Sequence, residues 1–280
     1  MPKIEYGRKY DYEGFNFWGI NEAKRAKDGK YYEVLEEFLA EAEDLGCTNV
    51  TKPGDTESIA YFKGTDNNVI KAWTNGNNLY IGSKGTTYPG PSMYYAFHDI
   101  KNLNVLDMNN VNTSNVTSMY QMFAGTGKNA TEWNIGNLGN WDVSSVGTMY
   151  DMFNSAGYNA SIFNIGNLND WDVSNVTNMD GMFAEVGYSA TELSIGDISN
   201  WDVSNVTTMY HMFADCMSLT TLNMKGWNTE SLTDMDGIFN TCMSLKVIDV
   251  SDFDTRNVTD MSQVFETCYA LEEIIGLDKW

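Results

Sequence analysis

The sequence predicts an α/β repeat solenoid of about seven turns over residues 92–280, each turn built from a short strand, a corner and a short helix. Three observations carry that prediction. A five-residue element, Met-x-x-(Met/Ile/Val)-Phe, ends at Phe123, Phe153, Phe183, Phe213, Phe239 and Phe265, with a degenerate first copy over Met93-Tyr-Tyr-Ala-Phe97. The steps between successive phenylalanines are 26, 30, 30, 30, 26 and 26 residues, and periods in that range are the mark of stacked repeats. An aromatic corner, Trp-Asp-Val-Ser-(Asn/Ser)-Val, stands at Trp141, Trp171 and Trp201 and relaxes to Trp227-Asn-Thr-Glu-Ser-Leu and Phe253-Asp-Thr-Arg-Asn-Val.

In chain order, residues 1–91 read first as an α+β capping module. Residues 31–45 place Val34, Leu35, Phe38, Leu39 and Ala42 on one helical face, with Gly46 past the end. Residues 58–62, 68–73 and 79–82 read as strands, the last two joined as a hairpin through Asn75-Gly-Asn-Asn78. A repeat array exposes the apolar end of its first unit, so capping is the expected task of this module.

Within a unit, Leu219, Leu222 and Met224 follow an L-x-x-L-x-apolar spacing that sets a strand with its alternate side chains inward. The same inward pair recurs as Leu106 and Met108, Trp133 and Ile135, Phe163 and Ile165, Leu193 and Ile195, and Ile248 and Val250. Asp and Asn suit the corner that follows, because their side chains bond nearby amides. A threonine then precedes the methionine element at Thr117, Thr177, Thr207, Thr233 and Thr259, where it suits a helix N-cap, and Asp180 and Asp236 imitate a capping box. Met179, Met182 and Phe183 fall at i, i+3 and i+4, one face of a short helix packed in the core. Cys216, Cys242 and Cys268 recur at the repeat period and read as a ladder of buried thiols rather than a zinc site, which needs four converging ligands.

The pattern Trp-Asp-Val-Ser-Asn-Val-Thr-x-Met-x-x-Met-Phe, with Cys three residues after Phe and Leu-x-x-Leu next, resembles the BspA-like leucine-rich-repeat family of bacterial surface proteins over residues 92–280. The resemblance implies a leucine-rich-repeat-like solenoid that binds proteins in adhesion or recognition, commonly exported and anchored. Similar repeats are also carried by phage and other mobile elements.

The chain carries a formal charge of −21, of which residues 92–280 contribute −18 through 24 acidic against 6 basic side chains. Such a surface excludes direct binding of nucleic acid or anionic membrane, since neither polyanion releases counterions to it. No apolar run is long enough to span a bilayer, and the polar start MPKIEYGRKYDYEGF is not a signal peptide. The expected location is therefore the cytoplasm of a bacterium or of a phage host for the chain as given, and the cell surface if a leader has been removed.

No catalytic constellation is read from the chain, and no cofactor or metal is expected. His98 and His211 stand in different repeats, and Gly125-Thr-Gly127-Lys128 lacks the spacing of a phosphate loop. Asp142, Asp172 and Asp202 recur every 30 residues, either as a calcium ladder or as corner residues; uncharged Asn112 and Asn228 in the same slot favour corners. Function is expected on the outward strand positions Asp107, Asn134, Asn164, Ser194, Asn223 and Asp249, lining one continuous sheet that meets a protein partner. The alternative is an intracellular, phage-encoded acidic inhibitor that covers the basic nucleic-acid-binding site of a host or defence protein.

Overall fold

The structure, a computed structural model, describes residues 91–107 and 111–280 and, before them, the backbone of four short strands. The helix expected at 31–45, the strand at 58–62, Cys47 and Met108 lie outside the described residues. Strands β1 (Tyr10–Tyr12) and β2 (Phe15–Phe17) pair antiparallel. The expected hairpin is present as β3 (Lys71–Asn75) and β4 (Asn78–Gly82), closed at the Asn75–Asn78 pair. β4 then pairs in parallel with β5 (Val105–Asp107), so the hairpin sits against the first repeat strand.

From residue 91 on, residues one repeat apart pair in parallel, on two walls. The first wall is unbroken: Ser92, Ser118, Thr148, Asn178, Thr208, Asp234 and Asp260 form one run of parallel bridges. In every repeat the bridge residue stands five positions before its phenylalanine, so the change of period never disturbs it.

The strand wall is not the continuous sheet the sequence predicts. Asn134 bridges to Val105 behind β5; β6 (Ile162–Asn164) pairs with β7 (Glu192–Ser194), and β8 (Val247–Asp249) with β9 (Glu273–Ile275). The strand expected around Leu222 does not form. The longer repeats differ from the shorter ones beside this strand, which their four extra residues flank. One lies between phenylalanine and strand, and three between strand and tryptophan, as Asn134–Trp141 against Asn223–Trp227 shows. Register must therefore adjust wherever the period changes. Asn134 accordingly pairs with Val105 and not with Asp107.

The short helix expected over the methionine element is also corrected. Met179, Gly181, Phe183 and Glu185 donate their N–H groups to the carbonyls of Thr208, Tyr210, Met212 and Ala214 in the next repeat, at 3.1, 2.7, 2.9 and 2.8 Å. The intervening N–H groups of Met182, Ala184 and Val186 close overlapping turns on residues three before them. A helix would spend all these donors inside its own segment, and one this short is marginal by itself; a stacked neighbour offers better partners. The run requires a left-handed residue at its third position, met by Tyr95, Gln121, Asp151, Gly181, His211, Gly237 and Gln263 with φ from 49° to 59°. The i, i+3, i+4 spacing holds in either geometry, because Met179, Met182 and Phe183 are fully buried here too.

Nor is the preceding threonine an N-cap. Thr207 donates both its N–H (2.9 Å) and its hydroxyl (3.0 Å) to the carbonyl of Thr177, one repeat earlier, and Thr233 and Thr259 repeat the arrangement.

The core lies between the walls as stacked columns. Phe97, Phe123, Phe153, Phe183, Phe213, Phe239 and Phe265 stack at 5.3 to 5.8 Å between ring centroids. Trp171, Trp201, Trp227, Phe253 and Trp280 form a second column at 6.1 to 6.3 Å. The indole N–H groups of Trp171, Trp201 and Trp227 donate to the carbonyls of Leu138, Leu168 and Ile198, which satisfies a polar group that burial would otherwise penalise.

Candidate recognition surfaces

Of the sequence-predicted strand positions, Asn134, Asn164, Ser194 and Asn223 are exposed and Asp249 is half-buried, yet all five are already engaged. Asn134, Asn164 and Asn223 are exposed, but each uses Oδ1 to accept the N–H two residues on, from Gly136 (2.7 Å), Gly166 (2.9 Å) and Lys225 (3.3 Å). The Ser194 hydroxyl accepts from Gly196 (3.3 Å) and half-buried Asp249 from Ser251 (2.9 Å). These are turn-forming side chains at strand ends. Asp107 ends β5, paired with Tyr80. The structure thus places five of the positions on three separate strand groups and Asn223 on none.

The corners are equally self-contained. Asp142 and Asp172 each accept the backbone N–H of the serine two residues on at 3.1 Å and its hydroxyl at 2.6 Å, and Asp202 accepts the N–H of Ser204. The bonds from Ser144 and Ser204 hold the carboxyls of Asp142 and Asp202 below their ordinary range. Exposed Asn175, Asn205 and Asn257 reach back one repeat to the carbonyls of Ser144, Ser174 and Glu230 at 2.7 to 2.8 Å.

The cysteine slot is occupied by free thiols, each aimed at a phenylalanine carbonyl one repeat back: Cys216 to Phe183 (3.2 Å), Cys242 to Phe213 (3.2 Å) and Cys268 to Phe239 (3.0 Å). Thr126 fills the same slot with its hydroxyl on Phe97 (2.6 Å). Burial pushes all three thiols above their ordinary range, which disfavours the nucleophilic thiolate.

What the sequence reading missed is the outside of the turn wall. Tyr94, Tyr120 and Tyr150 stack on one another at 4.7 and 4.6 Å, and Tyr210 is 43% exposed with its ring on His211 at 4.1 Å. Asp151 accepts from Gln121 and Asn154, while Asp180 accepts from Asn178, the Thr208 hydroxyl and the Tyr210 N–H. Burial lifts the Asp180 carboxyl despite those bonds. In the middle repeats the residue added after phenylalanine carries a second outer column of Lys128, Tyr158 and Tyr188. The two tyrosines stack at 4.6 Å with rings 2° from parallel, and Lys128 Nζ lies 4.8 Å above the Tyr158 ring. The signal was available, since tyrosine fills the same slot of successive units at 26 or 30 residues; helical spacing drew attention to the inward face instead.

His98 lies 3.8 Å from Asp99, with burial lowering its affinity for a proton, and His211 sits against Tyr210. Among the described residues neither ring is hydrogen-bonded to a serine, threonine or cysteine, and no group of three acidic, histidine or cysteine side chains converges as a metal site. No helix among them is long and apolar enough to cross a membrane.

A family model described as "Mycoplasma protein of unknown function, DUF285" matches residues 91–189 and 185–280. No curated protein matches the chain. No solved structure matches it either.

Proposed function

We propose that this chain, which belongs to the DUF285 family, is a non-enzymatic protein-recognition module built as a BspA-like, leucine-rich-repeat-like solenoid. Residues 1–91 cap its first unit, a role supported by the pairing of β4 with β5. The observation that carries the reading is the unbroken turn wall. It presents stacked, half-exposed tyrosines between carboxylates, whereas the polar side chains of the strand wall are spent on their own turns. Tyrosine gives large contact area with little rotamer entropy to lose, and extended repeat faces are where such proteins bind.

The second reading, an acidic inhibitor of a basic nucleic-acid-binding site, is favoured by one observation. The 24 acidic side chains of residues 92–280 meet 6 basic ones, and the described ion pairs engage Asp99, Glu185 and Asp254. Most of the negative field is therefore left for a partner.

A photo-crosslinking amino acid placed singly at Tyr120, Tyr210 and Asn164, in the cell that makes the protein, tests the reading. Crosslinks to a discrete protein are expected from the two turn-wall positions and not from Asn164. Capture from Asn164 alone, or from none of the three, overturns it. When crosslinking is repeated with the purified chain and the captured protein, a lower adduct yield at about 300 than at about 50 mM salt favours the inhibitor, and a salt-independent yield favours adhesion.

A further inference from the structure

Lys128 is held in a way no other lysine of the described residues is. Its Nζ stands 4.8 Å over the Tyr158 ring, donates to Ser155 Oγ at 3.3 Å and lies 4.0 Å from Glu185 Oε2, in the second repeat after its own. Ser155 Oγ also donates to Glu185 Oε2 at 2.8 Å, which fixes that carboxylate beside the ring column. Tyr188 continues the column beyond Tyr158. Asp215 is the counterpart of Glu185 one repeat on, half-buried, with no ion pair or side-chain hydrogen bond among the described residues. Burial and the neighbouring Glu185 raise its carboxyl and outweigh the lowering by His211.

The geometry points to the outer ledge of Tyr158, Tyr188, Glu185 and Asp215 as a binding site for arginine side chains on a basic segment of a protein partner, a site that Lys128 half fills from within the chain. The inference rests on the protein-recognition reading and names its surface. Lys128 shows what the ledge does with a cation: it sets it over an aromatic face and beside a carboxylate. Arginine suits the same features better, because its plane stacks on tyrosine while its fork bonds a carboxylate in bidentate fashion. Lys128 serves the Tyr158 end, and Asp215 at the other end makes no ion pair or side-chain hydrogen bond among the described residues, with His211 as its cationic-type neighbour.

The test is fluorescence anisotropy of a labelled nona-arginine peptide with the full chain at about 150 mM salt. The pair Glu185→Gln and Asp215→Asn is expected to weaken binding about tenfold, and the equally charged pair Glu272→Gln and Glu273→Gln, exposed just before and at the start of β9, about twofold at most. Lys128→Ala is expected to strengthen binding about threefold, beyond Lys246→Ala, which changes the net charge equally. Tyr188→Leu, which keeps the apolar bulk, is expected to erase a preference over nona-lysine. Equal effects of the two acidic pairs, or of the two lysine variants, overturn the ledge while crosslinking from Tyr120 and Tyr210 stands. Loss of the crosslinks with these differences intact overturns protein recognition in the cell and leaves the ledge a cation site.

Discussion

A single side chain in this chain is rarely alone, because parallel stacking places it on its own counterpart one repeat away. Phe213 touches Phe183 below and Phe239 above, both at under 6 Å, and none of the three is exposed. Phe213→Ala therefore opens a cavity closed on two sides by rings that cannot move independently, and is expected to cost about 3 to 5 kcal/mol in denaturant unfolding. A near-neutral result would contradict the column. The corner aspartates respond to pH in a predictable sense. Hydrogen bonds from Ser144 and Ser204 lower the carboxyls of Asp142 and Asp202, so the stability they contribute is present above the unfolded-state value and is lost as pH falls through the folded one. An Asp142→Asn, Asp202→Asn variant keeps an acceptor at every pH. Its Tm is expected to fall less steeply than the parent's between about pH 5 and pH 3, and an unchanged slope in a thermal-melt series would count against this role.

At the scale of elements, the sequence made the inward residues legible and left the backbone open. Phe97 to Phe265, the tryptophan corners and the cysteine slot all fall where the period puts them, because burial is set by apolar pattern alone. The helix was misread because Met179, Met182 and Phe183 face inward equally from a helix and from a chain of turns. What separates the two is the partner of each N–H, which a sequence does not state. The left-handed positions held a clue, since Gly181 and Gly237 alternate there with Gln121, Asp151 and His211, an odd set for a helix interior. Gly187 is a stricter case. It has φ +48°, and an added Cβ would lie 2.6 Å from Phe163 Cβ in the core. Gly187→Ala is expected to lose about 2 kcal/mol or more, while Gly226→Ala, with φ +90° and open space around it, bears the backbone cost alone. Equal losses in paired melts would remove the close approach as the cause.

For the molecule as a whole, the totals read from the sequence describe charge better than they locate contact. The acidity of residues 92–280 is plain from composition, but the six strand positions expected to meet a partner are turn formers on a divided wall. A repeat pattern cannot say which of its two walls stays continuous when the period changes. The turn wall stays in step because the extra residues enter after the phenylalanine, on the strand side.

The tryptophan column has an optical consequence. Trp171, Trp201 and Trp227 lie nearly parallel, 2° and 6° apart in plane, at 6.1 and 6.2 Å. Chromophores held so close and so aligned absorb as a coupled set, with a circular dichroism that their separated indoles lack. The chain thereby carries its own gauge of register across the step from 30-residue to 26-residue repeats, readable by light without a label.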